Sequence, residues 1–440
     1  MLKYIENKEA EEKIAGMNAE QVLSKIAEIK DPVTNMAVGE MISNLKAVVQ
    51  NEKKNVVVSL ANGDIDQMLA CLYQDNAQGV MQGAEVLAKM LGAEKIVLIL
   101  PESLKEQETE KDFTCHANDK KGCPTEILYG MCSRMSYTTD LLVHPITCVK
   151  CFEALKEENV HKTILSVNGQ APQEVEYGTT FAQIIPEAKA VRIGNQIWGA
   201  EVRTQILDET FPIENGVVET YEEDVCIVKE VEAFVGKLRE KCCGKCVFCR
   251  EGLVQIHEGL KDLTAGKAKL TDIELMKELA EIMKQQSNCS LGQTASGMIL
   301  GLQEHFADDI KEHLAGRCHT LTCKALVHYY VDPKMCKGEG HCVDNCPKKA
   351  IDGGKDFVGV IDEFECDKCD KCIDVCANGA IKCVTGRLPK LPDEPIALKK
   401  SKDTSETQER KTRKRVKPKA LLYKKKVSGF TEDFNNQTVK

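Results

Sequence analysis

Alternating apolar and polar stretches divide the first hundred residues of the chain. Residues 1 to about 50 are polar, with apolar positions such as Val22 and Ile26 at helical spacing. Two apolar runs, 55–60 and 95–101, predict buried strands, and 78–91 between them has the spacing of a helix. A strand, a helix and a second strand over this length predict a βαβ unit with parallel strands.

Further along, the pattern changes to a hairpin and then to helices. Asn168 and Gly169 separate two strand-like segments and predict a hairpin in a small mixed α/β module. From about Glu230 the pattern is helical, and Thr271 with Glu274 predicts a capping box. Two apolar faces predict a small bundle; they comprise Ile273, Met276, Leu279, Ala280 and Met283, and then Ala295, Met298, Ile299, Leu302 and Phe306.

Composition limits the classes of protein that this chain can be. Its 440 residues include 22 cysteines and carry a formal net charge of −9. The charged first residues lack the apolar core of a signal peptide, and no apolar run approaches membrane-spanning length. We therefore expect a cytoplasmic protein without a membrane span, in which clustered cysteines bind metal more often than they form disulfides. The acidic balance does not favour nucleic-acid binding.

The first cysteine motif, CCGKCVFCREG, is followed forty residues later by NCSLGQTA. Cys243, Cys246 and Cys249 can face one metal centre from a single turn, and Cys289 supplies a fourth thiolate, as a cubane iron–sulfur cluster requires. Cys242 with Cys246 and Cys249 also fits the C-x3-C-x2-C triplet of radical enzymes that cleave S-adenosylmethionine. We interpret the set as a closed electron-transfer cluster with Cys242 as a spare thiol; a four-thiolate zinc site is the alternative.

The second motif, from Cys366 to Cys376, matches the bacterial ferredoxin run C-x2-C-x2-C-x3-C. An earlier partial match, from Cys336 to Pro347, reads CKGEGHCVDNCP. In two-cluster ferredoxins the fourth cysteine of each run serves the other cluster. The complete set is then Cys346, Cys366, Cys369 and Cys372. The second set is Cys336, Cys342 and Cys376, with Glu339 where the fourth cysteine is expected.

Glu339 leaves three hypotheses open. The carboxylate ligates iron, the cluster is a three-iron form, or the site is empty. The three other sulfurs remain in register, so we favour a retained cluster and predict three clusters in the chain. Cys318, Cys323 and Cys383 lack partners at ligand spacing and are interpreted as structural.

The cysteine motifs resemble the iron–sulfur end of the NADH-binding flavoprotein subunit of bacterial complex I. The same subunit type is the diaphorase of electron-bifurcating hydrogenases. SVNGQAPQEVEYGTTFAQII resembles the soluble-ligand-binding β-grasp (SLBB) module of that family, and the part after CKALVHYYVDP resembles the appended two-cluster ferredoxin of the hydrogenase type. These matches cover about 145–384.

The amino-terminal part departs from this family. Members hold FMN on an RGGAGFP-like loop and bind NADH beside a GEE-containing segment, whereas 31–55 has no glycine-rich loop and only Gly122 to Thr125 resembles the family's GxPT turn. Neither G-x-G-x-x-G nor G-x-x-x-x-G-K-[ST] occurs there. Without free backbone amides to bind a phosphate, FMN has no evident site, and we predict a trimmed relative without its own flavin.

The resemblance implies a multidomain α+β fold. The predicted domains are 1–150, a degenerate α/β domain related to a flavin/NADH domain; 151–225, an SLBB-like β-grasp module; 226–325, a helical iron–sulfur domain; 326–386, a two-cluster ferredoxin-like domain; and 387–440, a basic disordered tail.

The implied function is that of a non-catalytic iron–sulfur electron-transfer subunit in a cytoplasmic NAD(P)H-linked complex of an anaerobe. Its partners are a flavoprotein and a further iron–sulfur or catalytic subunit, and the basic tail is expected to dock on an acidic subunit rather than nucleic acid. The alternative is a diaphorase subunit with its own FMN, held by a divergent loop at Asn62, Gly63 and Asp64. A cluster-bearing nucleic-acid-binding protein is a third hypothesis.

Overall fold

The computed structural model describes residues 16–32, 36–48, 54–60, 68–101, 104, 113–118, 140–156, 161–242, 244, 246–287 and 290–398. Over these ranges the chain has a multidomain α+β fold with several separate sheets. No helix in the described ranges combines the length and apolar character needed to cross a membrane.

The amino-terminal unit packs helices against a parallel sheet. Its strand order is β3-β2-β1-β4, and β1 runs parallel to both β2 and β4. The predicted βαβ unit is therefore confirmed, because α3 connects the parallel neighbours β1 and β2. In chain order the elements are α1 (Ala19–Ile26), α2 (Val38–Val48), β1 (Asn55–Ser59), α3 (Met68–Leu91), β2 (Lys95–Pro101), β3 (Phe113–Asn118), β4 (Asp140–Val143) and α4 (Pro145–Leu155).

Helices α3 and α4 approach closely at Gly83. A β-carbon on Gly83 would lie 1.9 Å from the backbone oxygen of Cys148, so any side chain there would force the helices apart. Cys148 and Cys151 are fully buried in this contact. Burial raises the pKa of both thiols, which therefore stay protonated and pack as apolar side chains.

His144 makes this unit sensitive to acid. Its Nδ1 accepts a hydrogen bond from the backbone N–H of Ile146 at the start of α4, and its own backbone N–H donates to Asp31. Burial lowers the pKa of His144 from 6.5 to about 4, although the nearby Asp31 carboxylate opposes the shift. The unfolded chain then binds this proton more readily than the folded chain, so stability falls as the pH drops below 6.5.

We expect the amino-terminal unit to lose about 2 kcal/mol of stability between pH 7 and pH 5. Hydrogen exchange of the α4 amides measures this loss. The His144→Asn variant keeps a capping side chain but cannot titrate, and its stability should be nearly constant over the same range. An equal slope in both proteins would contradict the assignment to His144.

The second sheet is five-stranded, in the order β6-β5-β9-β7-β8, with β5 parallel to β9. The predicted hairpin is confirmed: β5 and β6 are antiparallel, and Asn168 and Gly169 both have positive φ, as a tight hairpin turn requires. The elements are β5 (Lys162–Val167), β6 (Gln173–Glu176), α5 (Phe181–Ile184), β7 (Ala190–Ile193), β8 (Gln196–Gly199), the 3-10 helix Ala200–Thr204 and β9 (Val217–Tyr221).

A helical bundle follows, and its two predicted apolar faces lie in the core, with Leu279 partly buried. The predicted cap at Thr271 is wrong. The helix begins two residues earlier, because the Asp272 carboxylate accepts a hydrogen bond from the backbone N–H of Lys269 at 2.7 Å. The helices are α6 (Ile227–Lys241), α7 (Val247–Thr264), α8 (Leu270–Gln286), α9 (Ser290–His305) and α10 (Ala307–Leu314).

The last described unit is an internal repeat closed by an antiparallel pair, β10 with β14. Equivalent positions lie thirty residues apart: the N–H of Cys336 donates to the backbone oxygen of Asp332, and that of Cys366 to Asp362, both at 3.0 Å. The elements are the 3-10 helix Lys324–Leu326, β10 (Val327–Val331), α11 (His341–Asp344), β11 (Ile351–Asp352), β12 (Phe357–Val358), β13 (Val360–Ile361), α12 (Lys371–Asp374), β14 (Ile381–Thr385) and β15 (Ile396–Ala397).

Candidate metal centres

Two predicted ligands of the bundle cluster, Cys246 and Cys249, lie at the amino-terminal end of α7. Cys246 is the N-cap residue of this helix and Cys249 lies in its first turn, buried with 5% of its surface exposed. Gly244 has the positive φ that the tight turn needs, and the Arg250 guanidinium donates to its backbone oxygen at 2.9 Å. The positive end of a helix dipole favours thiolates here. Two further predicted ligands, Cys243 and Cys289, lie outside the described residues.

Cys242, interpreted from the sequence as a spare thiol, lies beside this centre. Its Sγ is 3.8 Å from Cys249 Sγ, the separation of a weak sulfur hydrogen bond. The two thiols therefore interact. Cys242 thus contacts a predicted ligand.

In the unit that contains the internal repeat, each of two cavities is lined by cysteines from both halves of the repeat. The first cavity is lined by Cys346 from the first half and by Cys366, Cys369 and Cys372 from the second. The backbone N–H of Ala350 donates to Cys346 Sγ at 3.3 Å, a contact that stabilises a thiolate at that position. The structure thus places the four residues of the complete predicted set around one space.

The second cavity is lined by Cys336, Glu339 and Cys342 from the first half and by Cys376 from the second. Here the N–H of Ala380 donates to Cys376 Sγ, also at 3.3 Å. All four residues of the abnormal predicted set therefore meet as well. The exchange of the last cysteine between the halves follows from the pairing of β10 with β14 and of α11 with α12 across the repeat.

The donor chemistry of both cavities fits the positively charged iron–sulfide core of a cluster. Burial, followed by repulsion from neighbouring thiolates, raises the pKa of Cys342 and Cys372, the latter to about 12. Several thiolates in one buried space need a compensating positive charge, which iron supplies. Iron binding would therefore replace these protons.

A third group of ligands was missed from the sequence. Cys226, His313, Cys318 and Cys323 are all buried, and their ligand atoms lie within 4.8 Å of one another. The Cys226 sulfur is 3.3 Å from His313 Nε2 and 3.7 Å from the Cys323 sulfur. A tetrahedral zinc ion with bonds of about 2.3 Å to sulfur spaces its ligands in this way. A cubane cluster, which must enclose four irons, needs a wider cage.

The surroundings of this group favour a cation. His313 Nδ1 donates to the backbone oxygen of Asp309 at 2.7 Å, which turns Nε2 towards the sulfurs. Hydrogen bonds with Cys226 and Cys323 lower the pKa of the Cys318 thiol, whereas hydrogen bonds with Cys226 and Cys318 raise the pKa of the Cys323 thiol, so protons are shared unevenly within the group. The Thr320 hydroxyl lies 3.3 Å from the Cys318 sulfur.

The interpretation of Cys318 and Cys323 as cysteines without ligand partners is therefore wrong. The local signal was His313-x4-Cys318-x4-Cys323, but its fourth member, Cys226, caps the first helix of the bundle and lies 87 residues before His313. Only the packing of α10 against α6 brings them together. Cys383 lines neither cavity in the described unit.

These donor sets, apart from the group around His313, are those of an iron–sulfur protein. Residues 229–313, which form most of the bundle, match the family model of the NADH-ubiquinone oxidoreductase-F iron-sulfur binding region. The resemblance inferred from the cysteine motifs is thereby confirmed, over about one fifth of the chain.

Curated relatives agree with this assignment. The chain is 35% identical over 142 residues to the NADP-reducing hydrogenase subunit HndC of Solidesulfovibrio fructosivorans, a match that covers 32% of this chain and 29% of that protein. It is 26% identical over 169 residues to an NADH-quinone oxidoreductase subunit of Streptomyces coelicolor, covering 34% and 38% respectively. The chain therefore spans only about a third of the length of these relatives.

Solved structures share the fold over a longer stretch. A crystal structure of an NAD+-reducing [NiFe]-hydrogenase in its H2-reduced state aligns with a TM-score of 0.59 and 16% sequence identity, covering 71% of this chain and 66% of that chain. The air-oxidized state of such an enzyme aligns with a TM-score of 0.52. At this identity the likeness concerns the fold alone.

Proposed function

We propose that this chain is an electron-transfer subunit of an NAD(P)H-linked oxidoreductase complex in the cytoplasm. It would relay single electrons between a partner flavoprotein and another carrier. The observation that carries the proposal is the arrangement of two cysteine-lined cavities beside a bundle of the iron–sulfur binding type. The matched relatives are subunits of hydrogenases and quinone oxidoreductases, which supports the same function.

In this proposal the ligand sets are those predicted from the sequence. Bound iron–sulfur clusters supply one-electron redox chemistry. The chain holds the irons through thiolates, excludes water with the apolar bundle, and donates backbone N–H groups to sulfur at Cys346 and Cys376. The sets are Cys243, Cys246, Cys249 and Cys289; Cys346, Cys366, Cys369 and Cys372; and Cys336, Glu339, Cys342 and Cys376.

Backbone geometry supports Glu339 as an iron ligand. Cys369, its counterpart in the repeat, lies between two residues with positive φ, Lys368 and Asp370. Glu339 likewise lies between Gly338 and Gly340, both with positive φ, and lines its cavity. Its backbone thus has the placement that a ligand needs, and its carboxylate is an acceptable oxygen donor for iron.

We assign the flavin to the partner subunit. The described amino-terminal sheet is assigned a scaffold role. The five-stranded sheet with its parallel β5–β9 pair supports an SLBB-like β-grasp module at 151–225. Three parts of these predictions lie outside the described residues: the Asn62–Gly63–Asp64 loop of the alternative hypothesis, the Gly122 to Thr125 turn, and residues 399–440 of the predicted tail 387–440. An absorbance spectrum of the chain after incubation with FMN tests the alternative, since a retained yellow chromophore would favour it.

The relay is tested with anaerobically purified chain. Three cubane clusters give about twelve irons per chain, and a three-iron form at the Glu339 site gives about eleven. We expect NADH to reduce these clusters only when the co-purified flavoprotein is present, as followed by low-temperature electron paramagnetic resonance (EPR). Reduction by NADH without that partner, or a chain without iron, would contradict the proposal.

We also propose that Cys226, His313, Cys318 and Cys323 bind one structural zinc ion. All four ligands come from the protein, and a closed four-ligand set is typical of structural rather than catalytic zinc. Cys226 begins the bundle, whereas Cys323 precedes the first strand of the ferredoxin-like unit. The ion would therefore fix the connection between these two parts.

A further inference from the structure

Ser287 has a buried hydroxyl with no hydrogen-bond partner among the described residues. The residue is the C-cap of α8, two positions before the predicted ligand Cys289, and only 7% of its surface is exposed. Its backbone N–H donates to the backbone oxygen of Met283, so the unpaired donor of this residue is the side-chain hydroxyl. Burying an unpaired hydroxyl is unfavourable, so such a group needs an explanation.

The Ser287 hydroxyl lies near Cys249, a predicted ligand of the cluster in the helical bundle. A β-carbon built on Gly292 would be 2.1 Å from Ser287 Oγ and 3.3 Å from Cys249 Sγ. Both atoms therefore lie against α9 at residue 292, where the absence of a side chain leaves room for the Ser287 hydroxyl. A predicted ligand sulfur and an unpaired donor therefore lie close to one another.

Another serine nearby shows that the local backbone can satisfy a buried hydroxyl. Ser296, on α9, is fully buried, and its hydroxyl donates to the backbone oxygen of Gly292 at 2.9 Å. Ser287 has no such acceptor among the described residues. The Ser287 hydroxyl is therefore available to donate to a group held beside Cys249.

We infer that the Ser287 hydroxyl donates a hydrogen bond to a sulfur of the iron–sulfur cluster bound at Cys249, and thereby raises the reduction potential of that cluster. This inference rests on the proposed function. Reduction adds negative charge, part of which resides on the cluster sulfurs, so a donor stabilises the reduced form more than the oxidised form. Ser287 is thus a positioning residue that tunes the potential without binding iron.

The test is a redox titration of full-length chain followed by EPR, comparing wild type with Ser287→Ala, Ser287→Thr and Ser296→Ala. We expect Ser287→Ala to favour the oxidised bundle cluster by about tenfold, which is about 59 mV more negative for one electron. Ser287→Thr should stay close to wild type because it keeps the hydroxyl. Ser296→Ala removes a buried hydroxyl that is already satisfied, and should leave the potential unchanged.

Pulsed spectroscopy in D2O supplies a second measurement that does not depend on the alanine variant. The reduced bundle cluster should couple to an exchangeable hydrogen in wild type and Ser287→Thr, and Ser287→Ala should lose that coupling. An unshifted potential in Ser287→Ala would overturn the inference, as would the absence of an exchangeable hydrogen in wild type. Failure of the proposed function is distinct, because wild-type chain would then lack the bundle signal altogether.

Discussion

We expect that replacing the last cysteine of either ferredoxin-like run by serine will abolish the cluster whose other ligands belong to the opposite run. Cys346 belongs to the first run but lines the cavity with Cys366, Cys369 and Cys372. The Cys346→Ser variant should therefore lose the cubane cluster that has four cysteine ligands, and with it about four irons per chain. By the same argument Cys376→Ser should lose the abnormal cluster at the Glu339 site, because Cys376 lines that cavity.

Iron analysis and EPR of the two variants measure these losses separately. Each variant should keep the signal that the other loses, and the bundle signal should persist in both. Cys383→Ser is the matched control, since this cysteine on β14 lines neither cavity and should leave all signals unchanged. If either variant instead lost the cluster held by the other cysteines of its own run, the assignment of the last cysteine to the opposite cavity would be wrong.

Removing one ligand of the Cys226–His313–Cys318–Cys323 group is expected to abolish zinc binding and weaken the bundle. Cys318→Ser should lower zinc from about one ion per chain to a small fraction. It should also destabilise the bundle by about 3 kcal/mol or more, since the free energy of binding structural zinc is part of the folding free energy. Thr320→Ala removes a hydroxyl beside the Cys318 sulfur and should weaken zinc binding by about tenfold.

Elemental analysis, thermal unfolding and limited proteolysis report on this site together. In Cys318→Ser we expect new cleavage within 315–326, because the ion would hold this connection against Cys226. Cys71→Ser, at an exposed cysteine in α3, should behave as wild type. Iron in place of zinc, or a zinc-free wild type with an intact bundle, would contradict the assignment.

Much of the fold could be predicted from the sequence because its signals are local. Apolar runs at 55–60 and 95–101 predicted parallel strands that pair residue by residue. The helical spacing of residues such as Met276 and Met298 identified core faces that are buried. The cap at Thr271 was predicted wrongly, because two nearby acidic side chains could each close the first turn and Asp272 does so.

The ligand sets also divide into those with a local sequence signal and those without one. The ferredoxin-like spacing assigned Cys346 and Cys376 to opposite cavities, since the run itself encodes that exchange. The group around His313 was missed because one of its ligands, Cys226, is isolated in the chain. Ser287 was missed because a serine in a loop has no sequence signal, and its unpaired hydroxyl is visible only after packing excludes every other acceptor among the described residues.

The sequence by itself therefore determined which thiols form ligand runs, where several strands and helices lie, and which iron–sulfur motifs the chain resembles. Tertiary structure alone decided which distant side chains meet: Cys226 with His313, and the Ser287 hydroxyl with the space beside Cys249. The physical reason is the distance along the chain over which each kind of signal acts. Periodicity and ligand spacing act within a few turns of chain, whereas a buried site is completed by the packing of helices far apart in sequence.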